Sequence, residues 1–302
     1  MIDSSEKLLL IGDNPFHGIS HLSQEQARSR TGKIDSITDK ADVVTTAIEN
    51  GADGFSFSVS EVTLSILKEL RAQGKTEHLK LYAIVPYAFE YVRVATQTGT
   101  PGLAKKFAKQ IAFSGDVGAV FGGLSALLTM SPAALMKTYL AYELSRIRSA
   151  AGKKAVLSSV LLHEVVTDMG LALNFDWLFK SYVSYLLKKG ITPGFNTRNF
   201  PYLVKKFDEW GISLDQTLIE TQFNKAGFQM NPSREECEKT LSNSPPVVLA
   251  ISVLAAGYFK PPEAANYLEG LKNLKGAVVG ASSVKQAAET FSFFKMRLKT
   301  SL

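Results

Sequence analysis

The chain has 302 residues, of which 45% are hydrophobic and 21% are charged, and its formal net charge is +6. This composition is typical of a globular protein and excludes a disordered or low-complexity chain. The single cysteine, Cys237, excludes an intramolecular disulfide and a thiolate zinc cluster, and it favours a reducing compartment.

Positive charge is concentrated in one part of the chain. Residues 93–154 include nine Lys or Arg residues but only two acidic ones, Asp116 and Glu143. This is one basic region in a protein that is otherwise close to neutral. Because the aromatic and arginine-rich patterns of nucleic-acid-binding proteins are missing, we expect a small-molecule substrate and no nucleic-acid partner.

The N-terminal sequence MIDSSEKLLLIGDNPFHG contains a short apolar run followed by a turn-forming Gly-Asp-Asn-Pro. It lacks the basic region and the long apolar stretch of a signal peptide, and it predicts no transmembrane segment. We therefore expect a cytoplasmic protein.

Apolar runs rich in Val, Ile and Leu alternate with helical patterns of ten or more residues, as in repeated strand-helix units. Eight such units predict one α/β domain over residues 1–302, a (β/α)8 TIM barrel. An open, doubly wound sheet is the alternative, but no Gly-x-Gly-x-x-Gly turn follows the first run. The predicted strands span residues 7–12, 54–58, 79–85, 155–162, 191–196, 216–223, 246–252 and 276–280.

Helices are predicted between these strands. Gly51, Gly74, Gly190 and Gly211 each follow a helical pattern, at the position where a left-handed residue commonly ends a helix. The predicted helices span residues 38–50, 60–73, 174–189, 201–210, 233–242, 261–271 and 282–294.

Residues 98–152 are far more than one strand-helix crossover needs, and they predict a helical insertion between strand 3 and strand 4. Asp116 and four glycines interrupt its apolar run 111–130, which argues against a membrane-spanning helix. Three roles remain open. The insertion is an extra helical hairpin packed on the barrel, a dimer surface or lid, or a basic element in peripheral contact with a membrane.

Active sites of (β/α)8 barrels form at the carboxyl ends of the strands. Three of the four histidines, His17, His21 and His163, lie at or near predicted strand ends. Neutral imidazole acts as acid, base or metal ligand near pH 7. His17 and His21 are four residues apart, and either His163 or Glu61 would complete a three-ligand metal site with them. The alternatives are a His17 that caps the Asn-Pro turn and a His163 with a structural role.

The eighth unit places Gly280, Ser282 and Ser283 directly before a helix. Exposed backbone amides and the positive end of the helix then face the barrel mouth, which predicts a phosphate-binding site. Ordinary helix capping by serine is the alternative.

The order of several motifs resembles that of the aldo/keto reductases, over residues 156–294. The segment GASSVKQAAET (280–290) is similar to the family's phosphate-binding segment, and ETQFN (220–224) to its Gln-x-x-Tyr-Asn segment. Three further segments match in order: VLLH (160–163) the end of the fourth strand, GFNTRNFPYL (194–203) the Gly-Val-Ser-Asn-Phe segment, and VLAISVLAAGYF (248–259) the seventh strand and its Ser-Pro-Leu turn.

The resemblance implies an NAD- or NADP-linked oxidoreductase acting on a small carbonyl compound or alcohol. It places His163 at the histidine that orients the substrate carbonyl, and Asn196, Thr197 and Gln222 at positions that hold the nicotinamide. The remaining cofactor positions that it implies are Ser252, Gly280, Ser282, Ser283 and Gln286. Gln286 stands where the family usually has a basic residue, which argues against NADP.

Most of the family's catalytic residues are missing from this sequence. The Asp-Thr-Ala after the second strand is replaced by Ser56-Phe57-Ser58, the proton-donating tyrosine falls near Glu61, and the lysine falls near Pro86-Tyr87. Tyr87, acting with His163, is the candidate replacement as proton donor.

Three functions remain open from the sequence. The first is the divergent NAD(P)-linked oxidoreductase. The second is a non-redox lyase, isomerase or metal-assisted hydrolase that uses His17, His21, Glu61 and His163. The third is a binding or scaffold protein without activity. The two enzymatic hypotheses require His17, Glu61, His163, Asn196 and Ser282 to converge at one opening.

Overall fold

A computed structural model of the chain describes residues 7–17, 36–86, 132–243 and 247–299. His21, Tyr87 and residues 98–131 of the predicted insertion lie outside the described residues.

Eight parallel strands form a closed barrel in chain order, with β8 pairing back onto β1. This confirms the predicted (β/α)8 TIM barrel and excludes the open sheet. The strands are β1 (Leu8–Gly12), β2 (Gly54–Ser58), β3 (Lys80–Val85), β4 (Val156–Leu162), β5 (Thr192–Thr197), β6 (Leu218–Gln222), β7 (Val247–Ile251) and β8 (Gly276–Gly280).

Helices in the connections cover the outside of the barrel. Gly51, Gly74, Gly190 and Gly211 all have positive φ angles, so the predicted helix-ending glycines are confirmed. The helices are α1 (Ile37–Glu49), α2 (Glu61–Ala72), α3 (Pro132–Ala151), α4 (Glu164–Ala172), α5 (Asp176–Lys188), α6 (Phe200–Trp210), α7 (Arg234–Asn243), α8 (Pro261–Glu269) and α9 (Val284–Lys299).

The helix α4 was not predicted. Val165 and Met169 are about half exposed, so the apolar residues of α4 do not all lie on its buried side. The sequence of α4 therefore lacks the one-sided apolar pattern that predicts a helix. It begins directly after β4, with His163 as the capping residue. The site residue His163 therefore belongs to a strand-to-helix junction.

The described end of the predicted insertion is the helix α3, which packs against α2. Its buried Arg146 lies 3.1 Å from Glu143 on the same helix and 2.9 Å from Glu61 at the start of α2. Across the described ranges, no helix is long and apolar enough to span a membrane.

Apolar side chains form one layer on each face of the barrel sheet. The larger layer lies between strands and helices, and the smaller one fills the lumen of the barrel with large side chains. The lumen cluster consists of Leu8, Leu10, Tyr82, Leu161, Leu218 and Leu249. Since alternate residues of a strand share a face, the next inward positions toward the carboxyl ends include Ser56, His163, Asn196 and Glu220. These four polar residues therefore lie directly next to the packed apolar cluster in the lumen.

Candidate active site at the carboxyl ends of the strands

Asp13 and His17 form a buried pair directly after β1. The Asp13 carboxylate accepts a hydrogen bond from the backbone amide of Ser58 on Oδ2, at 2.7 Å. The same oxygen lies 3.0 Å from Nε2 of His17. Only 5% of the Asp13 side chain and 6% of the His17 side chain are exposed. Two contacts on one oxygen fix the orientation of the carboxylate, and the contact with Ser58 connects the ends of β1 and β2.

Glu220 is a buried carboxyl group in the lumen, on an inward position of β6. Its Oε1 accepts a hydrogen bond from the Ser56 hydroxyl at 2.9 Å, and its Oε2 accepts one from the Asn196 amide at 3.4 Å. Burial raises the pKa of Glu220 to about 7, and the charge of Asp13 adds to the rise, against the lowering effect of the two hydrogen bonds. A carboxyl group that titrates near neutral pH is suited to donate and accept protons.

His163 is held in one tautomer at the end of β4. Its Nδ1 accepts a hydrogen bond from the backbone amide of Val165, at 3.2 Å. Burial lowers the pKa of His163, which favours the neutral ring. Because Nδ1 acts as the acceptor, the neutral ring carries its proton on Nε2, which is therefore a hydrogen-bond donor.

His163, Asn196 and Glu220 lie side by side on three neighbouring strands. Leu162 pairs with Phe195, and Asn196 pairs with Glu220, so the register places His163 beside Asn196. Neighbouring strands lie about 4.8 Å apart. The register therefore brings together a neutral imidazole, an amide and a carboxyl group.

Two amide oxygens in this region have no hydrogen-bond partner among the described residues. Oδ1 of Asn196 and Oε1 of Gln222 are buried, and neither accepts a hydrogen bond from any residue in the described part of the chain. A buried acceptor without a donor costs about 1–3 kcal/mol. These two oxygens are therefore candidates to accept hydrogen bonds from a ligand.

Two predicted site residues point elsewhere. The Glu61 carboxylate pairs with Arg146 of α3, so it serves the contact between α2 and α3. Thr197 donates a hydrogen bond to Asp168 of α4, and its oxygen accepts the amide of Asn199. Burial raises the pKa of Asp168, and the hydrogen bond from Thr197 opposes that rise.

The start of α9 has the hydrogen bonds of a helix cap. The amide and the hydroxyl of Ser282 both donate to Oε1 of Gln286, at 2.8 and 2.7 Å. The backbone amide of Gln286 in turn donates a hydrogen bond to the Ser283 hydroxyl, at 3.2 Å. Gly280 lies under Pro15, whose Cγ would be 2.9 Å from an added Cβ. A phosphate group would therefore require Gln286 to release the Ser282 amide.

The remaining predictions concern Ser252, the metal site, His21 and Tyr87. Ser252 directly follows β7 in a left-handed conformation, with a φ of 53°. Within the described ranges, no group of three His, Cys, Asp or Glu side chains is arranged to hold a metal ion. His21 and Tyr87 lie outside those ranges, so their predicted roles stay predictions.

Asp13 and Glu220 were missed by the sequence-based selection. Asp13 lies in the turn-forming Gly-Asp-Asn-Pro, and it also directly follows a strand, which is where barrels place their site residues. Glu220 is a charged residue inside a predicted buried strand, and such a residue often signals a functional site. Counted back from Phe223-Asn224, the family's Gln-x-x-Tyr-Asn glutamine also falls on Glu220 rather than on Gln222.

Solved structures described as aldo-keto reductases share this fold. The protein PA4992 of Pseudomonas aeruginosa superposes with a TM-score of 0.60 at 13% identity, covering 98% of this chain and 93% of that one. AKR11C1 of Bacillus halodurans, in its holo form, gives 0.52 at 12% identity over 94% and 85% of the two chains. A further solved structure, that of Gox0644 in its apo form, which is not described as an aldo-keto reductase, gives a TM-score of 0.50 at 13% identity over 95% and 83% of the two chains. No protein-family profile and no curated protein sequence matches the chain. At these identities the superpositions concern architecture, and the chain has the barrel fold of the aldo-keto reductases.

Proposed function

We propose that this protein is an enzyme that transfers a proton to or from a small carbonyl compound or alcohol at the carboxyl ends of its strands. The observation that carries the proposal is the in-register row of His163, Asn196 and Glu220. Nε2 of His163 donates a hydrogen bond to the substrate oxygen, and Glu220 exchanges the proton. Asp13 and His17 close the β1 side of the site.

The first candidate reaction is NAD(P)-linked interconversion of a carbonyl compound and an alcohol. Support comes from the shared barrel fold and from the unpartnered oxygens of Asn196 and Gln222, which match the two N–H donors of one nicotinamide carboxamide. A bound NAD(P)H would supply the hydride. Glu220 in its protonated form would then supply the proton that the missing tyrosine supplies in the family, and it would be reprotonated from solvent.

The second candidate reaction is a non-redox isomerisation that uses the same groups. The observation that favours it is the start of α9, where Gln286 holds the Ser282 amide and Pro15 covers Gly280. Glu220 as a carboxylate would remove the proton from the carbon next to the carbonyl group, while His163 stabilises the oxygen. Glu220 would then deliver a proton, after exchange with solvent, to the former carbonyl carbon of an α-hydroxy carbonyl substrate, while the hydroxyl proton passes from one substrate oxygen to the other.

One experiment separates the two reactions. Thermal unfolding is followed with and without NADH and NADPH, for the natural chain and for Gln286→Ala, which frees the Ser282 amide. The redox candidate predicts stabilisation by millimolar cofactor, and it predicts a larger stabilisation for Gln286→Ala because the phosphate then finds a free amide. No stabilisation of either protein would exclude the redox candidate.

The proton-transfer role is tested in deuterated water. Candidate carbonyl compounds are incubated with the natural chain and with Glu220→Gln, and incorporation of deuterium at carbon is followed by NMR. The isomerase predicts incorporation that disappears in Glu220→Gln. The reductase instead predicts NADPH consumption that falls about 100-fold in that variant. Unchanged rates in Glu220→Gln would contradict both.

A further inference from the structure

One oxygen of the Asp13 carboxylate is not used in the contacts with His17 and Ser58. Both contacts of this side chain fall on Oδ2, and Oδ1 accepts no hydrogen bond from a residue that the structure describes. The side chain is only 5% exposed. A carboxylate oxygen in such a position is stabilised when a donor reaches it, and the fixed orientation of Asp13 favours binding because little side-chain freedom is lost.

The mouth of the barrel is rich in acceptors. Asn196 is 7% exposed and Gln222 is 2% exposed, and each has a buried oxygen without a donor in the described ranges. A nicotinamide carboxamide would satisfy these two oxygens with its two N–H groups. Oδ1 of Asp13 would then remain available to a donor on the substrate.

Positive charge does not face this site from the described strands. Lys80 is the one Lys or Arg at an inward position of those strands. It is the first residue of β3, so it lies at the end of the barrel opposite to the mouth. At the rim, Arg198 pairs with Glu164 through Nη2, and its buried Nε has no partner among the described residues. A ligand carboxylate or phosphate would thus meet Asp13 and Glu220 without a described inward-facing cation. A primary ammonium group has three donors and no acceptor, so it matches this environment.

We propose that the substrate carries a primary ammonium group close to its carbonyl or hydroxyl carbon, and that Asp13 binds this ammonium group. The inference rests on the proposed function, because it places the substrate in the same site. It makes Asp13 the residue that selects an amino substrate over neutral and acidic compounds of the same size.

The test uses three small compounds of matched shape. 1-Amino-2-propanol, 1,2-propanediol and lactate carry an ammonium group, a hydroxyl group and a carboxylate at corresponding positions. Binding to the full chain is measured by calorimetry without any cofactor. We expect the amino alcohol to bind at least about tenfold more tightly than the diol, a difference of about 1.4 kcal/mol, and lactate to bind least. Equal binding of the diol, or tighter binding of lactate, would overturn the inference.

Two variants assign the preference to Asp13. Asp13→Asn keeps the size of the side chain and removes its charge, so the advantage of the amino alcohol should disappear. Asp215→Asn removes an exposed charge far from the mouth, in the short turn Leu214–Gln216, and should leave the advantage intact. A preference that survives in Asp13→Asn would contradict the assignment. The comparison of ligands on the natural chain decides the inference even if Asp13→Asn does not fold.

Failure of this inference is distinguishable from failure of the proposed function. An ammonium preference in binding, without turnover of any amino carbonyl compound, would contradict the reaction and leave the inference standing. Turnover that depends on Glu220 but is confined to neutral substrates would contradict the inference and leave the reaction standing.

Discussion

The Ser56 hydroxyl on β2 donates a hydrogen bond of 2.9 Å to the Glu220 carboxyl on β6, so side chains from opposite sides of the barrel meet across its lumen. Both residues are almost completely buried. The contact places a titratable group at the centre of the ring of strands. Its proton then affects both the stability of the barrel and the chemistry at its mouth.

Glu220 makes the stability of the fold depend on pH. Its pKa is about 7 in the folded chain against an ordinary value of 4.5, so the folded state holds the proton more tightly than the unfolded state. Stability from this group is complete below about pH 4.5 and is lost as the pH rises to about 7, by about 3 kcal/mol. We expect Glu220→Gln to abolish this loss in urea unfolding measured across that range. The control Glu289→Gln changes an exposed residue, so a matching effect there would contradict the prediction.

His163 combines helix capping with a proposed donor role, and two substitutions separate them. His163→Ala removes the acceptor for the Val165 amide and should cost about 1 kcal/mol in thermal unfolding. His163→Asn keeps an acceptor that suits the cap, so its stability should be close to that of the natural chain. Both variants lose the Nε2 donor, and we expect turnover to fall about 100-fold in each. Normal turnover in His163→Asn would show that Nε2 does not bind the substrate.

Thr197 stabilises the junction of β5 with α4. Its hydroxyl donates to Asp168 and accepts from the Asn199 amide, so Thr197→Val leaves two partners unsatisfied. We expect a loss of about 1–3 kcal/mol in the free energy of unfolding, measured in urea. Thr197→Ser keeps the hydroxyl and should lose clearly less. Equal losses in the two variants would mean that packing, and not the hydroxyl, is what matters.

Gly194 has no room for a side chain in the lumen. An added Cβ would lie 2.5 Å from Cγ of Leu161 and 2.8 Å from Oγ of Ser159. Gly194→Ala should therefore cost about 1–3 kcal/mol, measured by thermal unfolding. Gly270 is the matched control, because it has a right-handed helical φ and its nearest neighbour would be 3.3 Å away. A larger loss in Gly270→Ala would contradict this view of the lumen.

The architecture was accessible from the sequence because eight apolar runs, each followed by a helical pattern, leave few alternatives to a closed barrel. Left-handed glycines such as Gly211 marked helix ends for the same local reason. The helix α4 was missed because its apolar residues do not lie on one side. Local patterns therefore predicted the regular elements better than the irregular one.

Side-chain direction was harder to predict than position. Asn196 and Thr197 are consecutive in a strand and must face opposite sides, so only Asn196 turns to the lumen. Glu61 directly follows a strand end, as expected, but its partner Arg146 comes from 85 residues further along the chain. A resemblance to a family transfers positions along the chain, whereas such partners are set by three-dimensional packing.

The most direct test of a neutral-pH proton donor in the lumen is a titration of the Glu220 carboxyl carbon by 13C NMR, assigned with Glu220→Gln. We predict a midpoint near pH 7. In the natural chain, the hydrogen bond from Ser56 lowers the pKa of Glu220. Ser56→Ala lacks this hydrogen bond, so its midpoint should be higher. A midpoint near 4.5 in the natural chain would show that Glu220 is an ordinary ionised carboxylate, and it would contradict the proposed proton transfer.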